Sequence, residues 1–228
     1  LCRDWSSDVC SSDLIISFDD PSPQPVPGAA KKAAPKKRAP SPKVDAKLKA
    51  AASGDAALDA APYKQWQEPE GPHATSVHFY TGGGYLGINA DLRVGRLDDP
   101  RTKGHIKRLG EAMADSPLTH DVRVVRGIRD PAAVFGDKWN ETDVTGLQWT
   151  DLGFASSSTN VGQTGRTYFT GSTGVRMEIL VPKGTRALAA SQVGEAEMLL
   201  DRGLTYRVVR DDGVVDGVRR LIVAVVHG

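Results

Sequence analysis

The chain has 228 residues, 39% of them hydrophobic, and its 29 Lys or Arg nearly balance 28 Asp or Glu. No apolar run approaches the roughly 20 residues that a bilayer-crossing helix needs, which excludes a helical membrane span. The near-neutral total hides an uneven distribution, because Ala29–Lys49 carries eight Lys or Arg and one Asp and leaves the remainder acidic.

The first fourteen residues, ending in RDWSSDVCSSDL, read as a translated sequencing-library adapter joined to the reading frame. They have no basic start, no continuous apolar run and no small-residue cleavage site, so they are not a signal peptide. Both cysteines, Cys2 and Cys10, fall here, and the rest of the chain then offers neither disulfide nor thiolate metal ligand. On this reading the natural chain begins further upstream.

Ile15–Pro62 holds eight of the fourteen prolines and one aromatic, Phe18. Ala, Lys, Pro and Ser dominate, so the stretch is expected to be a disordered linker, an extended and self-repelling basic spacer. A weak nucleic-acid contact through phosphates is the second reading of its charge. Lys47–Ala61 is Ala-rich enough for a short helix, weakened by Gly54.

From Tyr63 to Gly228 the composition becomes globular, and the length suits one domain. Tyr85–Val94 is compatible with a helix. Pro100–Ser116 is more clearly helical, with Ile106, Leu109 and Met113 on one face and Pro117 after it. Pro131–Gly136 is expected to make one helical turn behind Asp130. Strands are expected at Val122–Gly127, Gly153–Ser158, Val175–Val181, Glu197–Leu200, Leu204–Val209 and Val218–Val226, with a turn at Asp211-Asp212-Gly213. Helices first and strands afterwards point to an α+β fold.

Three stretches carry candidate chemistry. In Asp121–Arg129, Arg126 sits among β-branched residues with Gly127 directly after it, where a guanidinium fork could meet a phosphate. In Gly153–Thr159, alternation puts Ser156 and Ser158 on one face. In Gly194–Gly203, the same alternation puts Glu195 and Glu197 on one side of a strand. Taken singly, these are equally a surface arginine, a polar turn and two solvated glutamates.

In this chain order the Arg, Ser and Glu-x-Glu set resembles the arginine-serine-glutamate class of mono-ADP-ribosyltransferases, the bacterial exoenzyme toxins and related effectors. Phe79-Tyr80-Thr81-Gly82, Tyr85, Ile88-Asn89 and Leu92-Arg93 resemble that family's N-terminal helix signature. Gly153–Ser158 resembles its G-F-x-S-T-S strand, with Ser157 in place of the usual Thr. Glu195–Gly203 resembles its E-x-E-x-L-L-x-R-G strand, followed by an aromatic, here Tyr206. The resemblance covers about Phe79 to Val226.

The resemblance implies a split β-sandwich of two mixed sheets with N-terminal helices and with NAD, as substrate, in the cleft between the sheets. It gives Glu197 the ribose 2′-hydroxyl, Glu195 the acceptor, Arg126 the pyrophosphate and Ser156 the support of Glu197. The NAD contacts it implies are Arg126, Gly127, Ser156, Ser158, Phe169 and Glu197, and no metal. A Glu at position 195 favours arginine of an acceptor protein, with NAD hydrolysis as a side reaction. Gln192-Val193-Gly194 would form the acceptor-recognition turn, and Tyr168 or Phe169 could stack on nicotinamide or simply pack a hairpin. A monomeric catalytic domain on a tether fits a secreted, injected or virion-associated protein. The alternative is a non-catalytic module of a phage head or toxin protein that keeps the cleft as a partner surface.

Other readings fare worse. Gly82-Gly83-Gly84 lacks the Lys-Ser/Thr of a phosphate loop and is expected to be a turn into the helix at Tyr85. The five histidines share no metal-ligand spacing, and no G-x-S-x-G elbow is present.

Overall fold

Alternation of apolar and polar side chains builds the sheets. In Val175–Val181 (β4), VRMEILV, every second residue from Val175 is buried, as a strand with one core-facing side requires. The computed structural model describes residues 42–68, 70–135, 139, 143–162, 174–191 and 196–226. All of them lie in one unit, Pro35–Gly228.

The helices come first: α1 Pro42–Ala50, α2 Asp55–Asp59, α3 Pro72–Phe79, α4 Tyr85–Val94 and α5 Pro100–Ala114, with α6 Ala132–Phe135 after the first strand. Asp99 caps α5 by accepting from the backbone N–H groups of Arg101 (3.2 Å) and Thr102 (2.9 Å), with Pro100 preset at the first helical position. Between α3 and α4 the chain makes a wide turn, Tyr80–Gly84, with Gly83 at φ 115°. A Cβ on Gly84 would sit 2.5 Å from the Phe79 ring and 2.6 Å from its carbonyl oxygen. The glycine triplet is therefore the bend that aims α4, in line with the turn expected there.

The other strands are β1 Val122–Ile128, β2 Gln148–Asp151, β3 Ala155–Ser158, β5 Ala187–Ala189, β6 Glu197–Leu200, β7 Leu204–Val215 and β8 Val218–Val226. Their order is β2-β7-β8-β4-β1-β3-β6-β5. Among the described strands only β4 and β8 run parallel; every other neighbouring pair is antiparallel. The order has a weak joint. β1 and β4 share seven register pairs, whereas β1 and β3 share one, Val125 with Ser158.

At that joint the sheet divides into a mixed five-stranded part and an antiparallel part made of β3, β6 and β5. Side chains of both parts meet in one core: Val124, Met177, Val208 and Val223 from the first, Ala155, Met198, Leu200, Ala187 and Ala189 from the second. The opposite side of β3–β6–β5 packs Leu188 and Leu199, with Phe154, against Val77, Tyr80, Ile88, Leu109 and Met113 of the helical layer. This is the expected α+β split sandwich, and its seam falls at β1 and β3.

Two expectations need correction. The folded part begins before Tyr63: α1 and α2 lie within the stretch read as linker, and Leu48, Ala57, Leu58, Ala60 and Ala61 are buried. Ala52 bridges to Val122 through backbone hydrogen bonds with Asp121 and Arg123. Alanines in close contact with a sheet pack well despite their small apolar area, which composition alone undervalues. The second correction concerns the turn at 211–213. Those residues lie inside β7, where Gly213 (φ 74°) marks a register shift. The hairpin turns instead at Asp216 (φ 54°) and Gly217 (φ 81°), the doubly left-handed pair that a two-residue loop needs.

Candidate active site

The four motif stretches converge on the seam. Val125 pairs with Ser158 and Ser158 pairs with Glu197, so Arg126, Ser158 and Glu197 occupy three adjacent strands. Ala155 and Met198 point into the inter-sheet core, which sends Ser156, Ser158 and Glu197 to the other face, toward the helical layer. Ser157 faces the core and its hydroxyl donates to the Met198 carbonyl (2.9 Å). Ser158 Oγ accepts from the Asn160 N–H (3.2 Å), a local cap on the end of β3.

The helical layer contributes Tyr80 and Asn89. Asn89 Oδ1 accepts from the Phe154 N–H (2.9 Å). Its Nδ2 donates to the Tyr80 hydroxyl (2.9 Å) and to the Phe154 carbonyl (3.2 Å). The Tyr80 hydroxyl donates to the same carbonyl (3.1 Å). Phe154 directly precedes β3, so this buried network sets the height at which the serine strand starts. Gly153 is required beside it, because a Cβ there would lie 2.7 Å from Asn89 Oδ1.

Burial pushes the Tyr80 hydroxyl up to about 12, while hydrogen bonds from Asn89 and Ser156 and the nearby Arg126 cation pull it down and Glu197 raises it. Tyr80 thus feels Arg126, Ser156 and Glu197 together. Burial also raises Tyr206, on β7, against the lowering influence of Arg126 and with Asp151 acting in the raising direction. The Tyr206 ring stacks on Trp149 at 5.3 Å, flooring the hollow beside Arg126, Asp151 and Ile179.

Asp151, at the end of β2, joins the helical layer to this wall. It accepts from Arg93 through Nε (3.0 Å) and Nη2 (3.1 Å) and from the Gly153 N–H (3.0 Å). Its Oδ2 lies 3.8 Å from Arg126 Nη2. Asp151 lies in none of the sequence motifs, and Tyr80, Asn89 and Arg93 enter only as parts of the helix signature. The D-x-G-F spacing into the serine strand was the available signal.

The backbone just before Glu197 is unusual. Ala196 adopts φ 44°, a left-handed conformation costly for a residue with a Cβ, and its carbonyl accepts from the Thr159 N–H (3.0 Å). The Glu197 N–H in turn donates to the Ser191 carbonyl (3.1 Å). Regular strand geometry therefore begins at Glu197. Glu195 itself, Phe169, Tyr168 and Gln192-Val193-Gly194 lie outside the described residues.

Among the described residues no group of three or more His, Cys, Asp or Glu could hold a metal ion, and no helix is long and apolar enough to cross a membrane. A separate concavity lies between α5 and the far ends of β5 and β6, with Lys103, Ile106, Arg186 and Asp201 in its walls. It contains none of the residues that converge on the seam.

A family model described as ADP-ribosyltransferase exoenzyme matches residues 57–227. No curated protein matches the chain by sequence. Among solved structures, it resembles Plx2a, an ADP-ribosyltransferase toxin from Paenibacillus larvae, with TM-score 0.59 and 20% identity over 81% of this chain and 97% of that one. The Clostridium limosum C3 exoenzyme gives TM-score 0.60 and 15% identity, covering 84% of this chain and 97% of that one. Exoenzyme S from Pseudomonas aeruginosa, solved with human 14-3-3 protein beta and carba-NAD, gives 0.54 and 21% identity, covering 67% and 72%. At these identities the structural likeness speaks for the fold.

Proposed function

The chain belongs to the ADP-ribosyltransferase exoenzyme family, and on that premise we propose that it transfers ADP-ribose from NAD to an arginine side chain of an acceptor protein, releasing nicotinamide. The observation that carries this reading is the register at the seam, which sets Glu197 opposite Ser158 and Ser158 opposite Val125, the neighbour of Arg126.

The chemistry suits those groups. As the bond between ribose C1′ and the nicotinamide nitrogen breaks, its electron pair leaves with nicotinamide and positive charge develops on the ribose. A fixed carboxylate at Glu197 stabilises that charge and accepts a hydrogen bond from the 2′-hydroxyl. The acceptor guanidinium attacks C1′ and loses a proton to Glu195. Without that proton transfer a group of pKa above about 12 is a poor nucleophile. Arg126 holds the pyrophosphate, with Gly127 giving it room, and Ser156 orients Glu197 together with Tyr80. When water replaces the acceptor, the same steps hydrolyse NAD.

We also assign residues 1–14 as adapter-derived and the basic stretch before α1 as a tether, which suits a catalytic domain that is secreted or injected. The test is to incubate the full chain with NAD and an arginine-rich protein acceptor, then locate the modified residue by mass spectrometry. ADP-ribose on arginine supports the proposal. Modification confined to another side chain removes the arginine assignment, and no modification with no nicotinamide release removes the transferase reading.

A further inference from the structure

We propose that Asp151 is a positioning residue of the cleft, holding Arg126 in the one orientation that meets the substrate's pyrophosphate. The inference rests on the reading of the cleft as an NAD site.

Arg126 needs such a support. An arginine has four rotatable side-chain bonds, and one free to turn must be ordered whenever the ligand binds. Asp151 is itself tied down at both carboxylate and backbone. Its carboxylate takes two bonds from Arg93 and one from the Gly153 N–H, and its side chain is 10% exposed. Its backbone is pinned as well. Asp151 pairs with Leu204 in β7, and its carbonyl accepts from the Gly203 N–H at 2.7 Å.

The fixed carboxylate faces Arg126 with Oδ2, 3.8 Å from Nη2. That contact engages one edge of the guanidinium and leaves the others for an anion, since the group carries five donors in a rigid plane. The balance of charge also fits. One carboxylate between two guanidinium groups leaves a net positive charge at the cleft wall. Asp151 thus connects the helix that carries Asn89, the strand that carries Arg126 and the turn just after β6, the strand that begins with Glu197.

The test is NAD kinetics and equilibrium NAD binding with the full chain, comparing wild type, Asp151→Asn, Arg126→Ala and the double variant. Asparagine keeps the shape and can still accept from the Gly153 N–H, but it loses the charge that steers Arg126. The expected result is an increase of about fivefold in KM and Kd for NAD with kcat within about threefold, the upper end for one ion-pair contact. In the double variant Asp151→Asn should add no further loss to Arg126→Ala, because the two act as one unit. A merely structural ion pair predicts a lower melting temperature with KM unchanged, or additive losses in the double variant, and either result overturns the proposal. Wild type that binds no NAD overturns the functional reading and the positioning role together.

Discussion

Asn89→Ala tests whether the α4 side chain sets the start of the serine strand. The asparagine makes three hydrogen bonds, to the Phe154 N–H, the Phe154 carbonyl and the Tyr80 hydroxyl, and it is buried. Alanine leaves the Phe154 N–H inside the protein without its acceptor, which costs about 1–3 kcal/mol, and each lost hydrogen bond adds about 1 kcal/mol. The Phe154 carbonyl keeps the Tyr80 hydroxyl, which limits the total to about 3 kcal/mol. For a domain of this size that corresponds to a fall in melting temperature of about 6–12 °C. Urea unfolding followed by circular dichroism measures it, and Asn89→Asp supplies a control. The aspartate can still accept from the Phe154 N–H but faces the Phe154 carbonyl with a second acceptor, so it should also destabilise. An Asn89→Ala variant within about 0.5 kcal/mol of wild type would refute the reasoning, since that is the range of ordinary surface substitutions.

Two further outcomes follow from buried groups. The Tyr80 hydroxyl titrates at about 12 when folded, against 10.0 when free. Because its proton is held more tightly in the folded state, its contribution is fully present below pH 10 and lost as pH rises toward 12. At pH 11 about 1.4 kcal/mol should be gone, and the difference between urea midpoints at pH 9 and 11 should shrink in Tyr80→Phe. Asp211 binds Arg219, the Val144 N–H and the Gly213 N–H, and the Arg219 and Asp211 side chains are 8% and 3% exposed. Asp211→Ala should cost about 3–5 kcal/mol by stranding a buried cation, and adding Arg219→Leu should recover part of the loss in the same urea assay.

What the sequence makes legible is what local pattern controls. β4, β6 and β8 are strands over the very residues that alternation or apolar run indicated, and α5 follows from its apolar face with Pro117 beyond it. Arg126, Ser158 and Glu197 fall on adjacent strands because β1, β3 and β6 are neighbours in the sheet. The features that escaped depend on tertiary contact. Asp151 acquires its role from Arg93, 58 positions away, and Asn89 from Phe154, 65 positions away. The left-handed Ala196 has no glycine to announce it, and its carbonyl is tied to Thr159. Two Asp-Gly pairs compete for the β7–β8 turn, and cross-strand register decides for Asp216-Gly217. Within the stretch read as linker, α1 packs through Leu48 and α2 through Ala57 and Leu58, burial that no compositional average reveals.

The most direct test of the central claim follows nicotinamide release and ADP-ribose transfer in the same tubes for wild type, Glu197→Gln and Glu195→Gln. Glu197→Gln is expected to lose both by about 10²- to 10³-fold or more, as removal of a preorganised charge-stabilising group does. Glu195→Gln should lose transfer to arginine and still release nicotinamide. Wild-type release that survives Glu197→Gln unchanged would contradict the account, because the carboxylate at the seam would then have no part in breaking the glycosidic bond.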